Sequence, residues 1–269
     1  LNTNGLRLAE EQGYAKSLAA AGLSCVFLQF DGVTETPNRA LRGRELIDSK
    51  LAAIEACKEA GLSVVLVPTV APGINDGELG AILDFALSKA PHIRGVHFQP
   101  ISYFGRCALE APLDRLTIPR MLRLIEEQTG GRMKAKDFGG GGAESPYCSF
   151  HASYHVGEDG TLKALAKRKD SCCCVKSSQA MDTVAWQWGS GAGHTARDGQ
   201  GDTASLDAFL EQARAATFTV SGMLFQDAFT LDLERLRRCY ICEADLDRGM
   251  VPFCAYNLTD LGGRALYRK

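Results

Sequence analysis

Three thiols fall within sixteen positions near the end of the chain: Cys239 and Cys242 in Cys239-Tyr240-Ile241-Cys242 and, after eleven intervening residues, Cys254. A thiophilic metal or an iron–sulfur cluster needs thiolates converging from different directions, and this segment supplies three of about four. A second set of polar residues closes successive apolar runs: Asn2 and Asn4, Gln29 and Asp31, Thr69 and Asn75, His97 and Gln99. Ligands of parallel α/β sheets sit at the carboxyl ends of strands, so four consecutive polar strand ends mark one mouth of a barrel or open sheet. Taken singly, each residue is also a turn former or an N-cap for the next helix, and a lone strand-end histidine is often a structural hydrogen-bonder.

The elements that must position these groups alternate. Leu6 to Ala21 has helical apolar spacing and stops at Gly22, Ser24 to Phe30 is a strand, and Arg44 to Ala60 is a second helix ending at Gly61. Ser63 to Pro68, Glu78 to Ala90 and Gly95 to Pro100 then read as strand, helix and strand. The pattern predicts a parallel sheet whose strands are buried on both faces, with helices outside. No Gly-x-Gly-x-x-Gly follows any of these strands, which argues against a dinucleotide fold.

After Arg106 the rhythm changes. A helix over Ile118 to Gln128 starts near Pro119 and stops at Gly130-Gly131, and Gly139 to Gly142 is a flexible link or tight turn. Ser149 to Val156 and Thr161 to Leu165 form a hairpin with Cys148 at its entrance. Cys172-Cys173-Cys174 lies on a basic loop, residues 189 to 202 read as mobile, and Ser205 to Ala216 and Asp232 to Arg238 read as helices. Tyr240 to Ala244 and Met250 to Cys254 read as two strands joined across Leu246 to Gly249, which brings Cys242 and Cys254 together at the open end. The expected division is a sheet domain over 1–106 and a cysteine-rich α+β region over 107–269.

Composition narrows the function classes. With 269 residues and 45% hydrophobic content the chain can build an ordinary core. A formal net charge of −2, with acids and bases interspersed, offers no basic stripe for a phosphate backbone, so nucleic acid is not an expected partner. No run of about 18 apolar residues predicts a transmembrane helix. The ten cysteines sit mostly in the second half of a long chain, which favours metal chemistry in a reducing cytoplasm over a secreted disulfide scaffold. Cys25 and Cys57, on a strand and a helix face, read as small buried hydrophobes.

Asn2-Thr3-Asn4-Gly5, Leu28-Gln29-Phe30-Asp31-Gly32, Arg42-Gly43-Arg44, Val67-Pro68-Thr69-Val70 and His97-Phe98-Gln99-Pro100, in that order, resemble the second half of a radical S-adenosylmethionine (SAM) barrel. Val251 to Leu258, with Pro146-Tyr147-Cys148 upstream, is similar to the class D radical SAM methyltransferases, TrsS-like proteins among them. The resemblance implies an α/β fold: a partial (β/α)6 TIM-like barrel, its second half, with an α+β cysteine-rich extension. It implies a [4Fe–4S] cluster that binds S-adenosylmethionine and cleaves it to a 5′-deoxyadenosyl radical, leading to methylation of an unactivated carbon or another C–C bond. The Cys-x3-Cys-x2-Cys motif that holds this cluster does not occur in the chain. If Leu1 to Gly5 ends the third strand, roughly 75 residues of barrel, at about 30 per βα unit, precede it. The chain is therefore expected to be a fragment, inactive alone in cleaving S-adenosylmethionine.

On the cofactor, the resemblance implies that Arg42 meets the methionyl carboxylate, a surface arginine being the alternative. Gln29, Asp31 and Asn4 would serve ribose or amino groups, and Thr69, Val70, His97 and Gln99 would border the adenine. An auxiliary [4Fe–4S] cluster is implied at Cys239, Cys242 and Cys254, with Cys148 or one of Cys172 to Cys174 as the fourth ligand. Expected partners are a small-molecule or lipid substrate, a pterin-type methyl donor, and a reductant such as ferredoxin or flavodoxin. The alternative is a non-catalytic α/β protein with structural cysteines on zinc or a cluster.

Overall fold

The computed structural model describes residues 1–104, 114–140, 145–165, 188, 216–260 and 263–268. Cys107, Cys172 to Cys174, the 189 to 202 stretch and the helix expected from Ser205 lie outside the described residues, as do Gly141 and Gly142.

Strands β1 (Asn2–Thr3), β2 (Cys25–Gln29), β3 (Ser63–Val67) and β5 (Ile93–Pro100) pair in parallel in sequence order, and β4 (Thr69–Val70) pairs with the end of β5. The connections carry α1 (Leu6–Glu10), α2 (Tyr14–Ala20), α3 (Glu35–Arg42), α4 (Ile47–Glu59) and α5 (Leu79–Ser88). Every crossover steps the same way across the sheet, so right-handed connections put these helices on one face. The sheet continues past β5 through β8 (Thr217–Met223), which is parallel to β5, and then through antiparallel β6 (Ser149–Val156) and β7 (Leu162–Ala164). Helix α6 (Ile118–Gln128) packs on α5, and α7 (Leu233–Arg237) leads to the hairpin of β9 (Cys242–Asp245) and β10 (Gly249–Pro252), followed by α8 (Phe253–Tyr256). The expected division at residue 106 falls between β5 and α6, and one sheet crosses it.

The two faces of the sheet differ. Neighbouring residues of a strand point to opposite faces, and one parity forms the core: Val26, Leu28, Val64, Leu66, Val96, Phe98, Phe218 and Val220 pack with Ala53, Ile54, Ile82, Leu83, Met121 and Ile125 of the helices. The other parity carries Phe27, Gln29, Val67, His97, Gln99 and Ser221, all half-buried. Trp188 covers the amino-terminal part of that face: its ring packs edge-on against Phe27 at 5.8 Å, and its carbonyl accepts the Ser63 hydroxyl hydrogen bond at 2.5 Å. Burial on both faces was the expectation; among the described residues one face is packed with helices and the other stays half-open at its carboxyl end.

Local differences have simple causes. The helix expected over Leu6 to Ala21 is split: the first ends where Glu11 turns extended at φ −97°, ψ 104°, and the second starts from Gly13, which adopts the left-handed φ of 81°. The helix expected from Arg44 begins at Ile47, where Glu35 caps it by accepting from the Leu46 and Ile47 N–H groups, both at 2.9 Å. Before it stands α3, hidden in the sequence by its polar composition and by Pro37, which occupies the first turn, where its missing N–H costs nothing. Cys254 lies on α8 rather than at the end of a strand. The closing hairpin turns across Asp245 to Gly249 and pairs Cys242 with Pro252.

Candidate functional site

Asp31 is the centre of the polar mouth. It is fully buried just past β2, and its two oxygens take one edge of a guanidinium: Arg42 Nε donates to Oδ2 at 2.7 Å and Nη2 to Oδ1 at 3.1 Å. Thr69 N donates to Oδ1 at 3.0 Å, Gln29 Nε2 donates to Oδ2, and Arg42 Nη2 also reaches Thr69 Oγ1 at 2.8 Å. Asn75 Nδ2 donates to the carbonyls of Asp31 and Thr69, each at 2.7 Å, locking the ends of β2 and β4 together. A buried carboxylate with this many donors is a rigid anchor, and the forked Arg42 pair fixes a partly exposed cation at the carboxyl end of the sheet.

The chain delivers Arg42 through α3, which is held at both ends. Glu78, just before α5, accepts from Val33 N at 3.1 Å and from the Thr34 hydroxyl at 2.7 Å. A side chain at Gly32 would meet Glu78 Oε2 at 2.6 Å and Pro37 Cγ at 2.7 Å, so only glycine admits this approach. Beneath lies Lys50, 1% exposed, whose ammonium donates to the Asn4 carbonyl and to Gln29 Oε1 at 3.4 Å. With Oε1 facing the ammonium, the Gln29 amide must turn its N–H toward Asp31. Burial lowers the Lys50 pKa to about 8, and Asp31 opposes that fall.

Asn4, Gln29, Asp31, Arg42 and Thr69 are thus joined in one network. Val70 is not part of it: Thr69 points to Arg42 while Val70 is fully buried in the core. Gln99 stands opposite Thr69 in the β4–β5 register. His97 Nδ1 meets Ser221 Oγ at 2.8 Å, and burial lowers its pKa to about 4, so the ring is neutral and linked to β8. Lys50, Glu35, Glu78 and Ser221 were not singled out from sequence. Lys50 had a signal: it precedes buried Ala53, Ile54 and Cys57 by three, four and seven residues, a charge on the apolar stripe.

The cysteines gather elsewhere. Cys148, Cys239 and Cys254 border a cavity of about 420 Å3 between the start of β6, the loop after β8 and α7–α8. Cys242 lies on β9, its thiol facing the Cys239 carbonyl at 3.7 Å, and does not line the cavity. Arg235 Nη2 donates to Cys148 Sγ at 3.1 Å and to the Tyr147 carbonyl at 3.3 Å, and Gln226 N donates to Cys254 Sγ at 3.2 Å. Burial pushes the Cys254 thiol up; the Gln226 bond opposes this, and nearby Cys239 and Cys148 add to it. Asp232 caps α7 by accepting from Glu234 N and Arg235 N, which aims Arg235 at Cys148.

Among the described residues no three His, Cys, Asp or Glu side chains stand ready to hold one metal ion. The donor set still fits an iron–sulfur group: three thiols around a cavity, two of them with N–H donors on sulfur, the kind of contact that tunes such clusters. Cys57 has no such setting. It is fully buried in the core, its thiol pushed up to about 11 by burial, and Cys25 shifts upward for the same reason.

Residues 1–86 match the family model described as the Radical SAM superfamily. The chain is 30% identical over 308 aligned positions to 7,8-dihydro-6-hydroxymethylpterin dimethyltransferase of Methanocaldococcus jannaschii, an alignment that covers 96% of this chain and 60% of that protein. GTP 3′,8-cyclases of Campylobacter curvus and Petrotoga mobilis are each 31% identical over 103 and 102 residues, covering 38% of this chain and 31% of each cyclase. The chain thus spans under two thirds of the length of these relatives.

Proposed function

With residues 1–86 matching the radical SAM superfamily, we propose that the chain is the S-adenosylmethionine-binding and cysteine-rich part of a radical SAM enzyme of the class D methyltransferase type. The observation that carries this reading is the Asp31–Arg42–Thr69 knot, which lies within the matched residues at the carboxyl ends of parallel strands. Asp31 holds Arg42 in a fixed plane, and the exposed part of the guanidinium is offered to the methionyl carboxylate. Asn4 and Gln29, steadied by Lys50, and Gln99 line the same mouth for the amino group and ribose. Neutral His97 and Thr69 border the adenine, while Val70 supports Thr69 from the core. A [4Fe–4S] cluster with bound S-adenosylmethionine would supply reductive cleavage to a 5′-deoxyadenosyl radical.

Cys148, Cys239 and Cys254, with Cys242 beside them, would hold an auxiliary cluster. Thiols spread around a cavity suit a polynuclear group better than zinc, which draws four ligands to within about 2.3 Å of one ion. The reaction we favour is methylation of an unactivated carbon of a small molecule or lipid, with a pterin-type methyl donor and electrons from a ferredoxin or flavodoxin, in the cytoplasm. The dimethyltransferase named above acts by its name on a pterin, which keeps a pterin in view for this chain as well. Among the described residues no helix is long and apolar enough to cross a membrane. The whole protein, reconstituted anaerobically and reduced, is expected to release 5′-deoxyadenosine from S-adenosylmethionine; a protein with its clusters intact that releases none would refute the reading.

A further inference from the structure

A second cavity, of about 550 Å3, adjoins the cysteine cavity and shares Tyr147, Leu224, Phe225, Asp232 and Arg235 with it. It opens between the end of β5 and the first turn of α6, and its walls are mainly apolar, with Pro100, Ile101, Tyr103, Leu116 and Phe225 among them. Two arginines interrupt this apolar lining. Arg115 is held by the fully buried Asp227, whose carboxylate also accepts from Tyr103 N at 2.7 Å and Phe229 N at 3.0 Å. Its guanidinium lies over the Tyr103 ring at 4.8 Å and the Phe229 ring at 5.8 Å. Arg235 enters from the cysteine side.

Four buried side-chain N or O atoms among the described residues lack a hydrogen-bond partner, and two of them, Arg115 Nη1 and Arg235 Nε, belong to side chains on this one cavity. Both are donors on fixed cations. These two atoms are themselves covered, so what faces the cavity is the part of each guanidinium that stays open, the Arg115 side chain being 22% exposed, on cations whose hydrogen bonds the protein leaves incomplete. Apolar and aromatic walls of this volume suit the body of a small organic molecule, and the guanidinium fork suits a planar carboxylate or a phosphate.

We propose that this cavity binds a small aromatic or apolar molecule bearing a carboxylate or phosphate, with Arg115 as the principal anion contact and Arg235 as the second. That this molecule is the enzyme's substrate rests on the radical SAM reading above; the binding site itself does not.

The test is isothermal titration of the whole protein with benzoate, phenyl phosphate and neutral benzamide, with neither S-adenosylmethionine nor reductant present. At least one anion is expected to bind saturably and about ten-fold more tightly than benzamide, and the two anions compared tell a carboxylate site from a phosphate site. Arg115→Lys keeps the charge opposite Asp227 but loses the fork, and is expected to weaken the anion about ten-fold. Pro119→Glu, at an exposed lining position, is expected to weaken the anion about five-fold, as one added charge contact in water would, and to leave benzamide unchanged. Equal binding of benzamide and both anions, no binding of any probe, or an anion affinity untouched by Pro119→Glu would overturn the proposal. Such a failure leaves 5′-deoxyadenosine release by the whole protein unaffected, so the two readings fail separately.

Discussion

Replacing Lys50 by methionine isolates the least expected feature of the mouth, a lysine buried beneath the Asp31–Arg42 network. Its pKa falls from 10.5 to about 8 because burial disfavours the ammonium, with Asp31 partly restoring it. At about 1.4 kcal/mol per pH unit, that difference corresponds to about 3 kcal/mol between the two protonation states. The sign follows from proton counts. Between about pH 8 and 10.5 the unfolded lysine is protonated and the folded one is not, so the unfolded chain holds more protons and stability rises with pH. Below pH 8 both forms are charged and this contribution is gone. Chemical denaturation at pH 7, 8, 9 and 10 measures it as the difference between the native chain and Lys50→Met. That difference should move in favour of the native chain by about 3 kcal/mol across the window. Taking a difference cancels the opposing influence of Cys57, whose raised pKa lowers stability from about pH 9 upward. Parallel curves would show that Lys50 is not buried as a titrating cation beside Gln29 and Asn4.

Asp31→Ala removes the acceptor of Arg42, Gln29 and Thr69 N, and losing one partner of a buried pair costs about 3–5 kcal/mol; thermal unfolding should fall by roughly 6–20 °C. His97, with its pKa lowered to about 4, should show no imidazole titration by NMR between pH 5 and 8, and should withdraw up to about 3 kcal/mol of stability as the pH falls from 6.5 toward 4. Gly80→Ala would bring a methyl group within 2.5 Å of the Gln128 carbonyl where α5 crosses the end of α6; a loss of about 1–3 kcal/mol in denaturant unfolding is expected.

Where a residue's role is local, the sequence was sufficient. Strands β2, β3 and β5 follow from their apolar runs, α6 from Pro119 and the Gly130-Gly131 stop, and the β6–β7 hairpin from Glu158-Asp159-Gly160. The four polar strand ends were visible for the same reason, since each closes a run. What was not legible depends on distant partners. Strand β8 alternates Thr217, Phe218, Thr219 and Val220 as a strand should, but its place between β5 and β6, which carries Ser221 to His97, is set by those distant neighbours. Arg42 suggested a free cation for a ligand, but the structure gives much of its fork to Asp31, eleven residues away across a helix that the polar sequence concealed. Cys254 looked like a strand residue because Met250 to Pro252 is one; Phe253 turns into a helix as its N–H pairs with the Ile241 carbonyl at 2.8 Å. The Asp227–Arg115 pair joins residues 112 positions apart, a distance at which spacing carries no signal.

The central claim, that this is a radical SAM protein whose closing cysteines hold iron and sulfide, is tested most directly by anaerobic reconstitution of the 269-residue chain followed by metal and sulfide analysis and Mössbauer spectroscopy. The expected result is about four irons and four sulfides per chain with a [4Fe–4S] spectrum, lost when Cys239 and Cys254 are replaced together by alanine. A sulfide-free site that takes zinc, or a cluster indifferent to that double replacement, would contradict it.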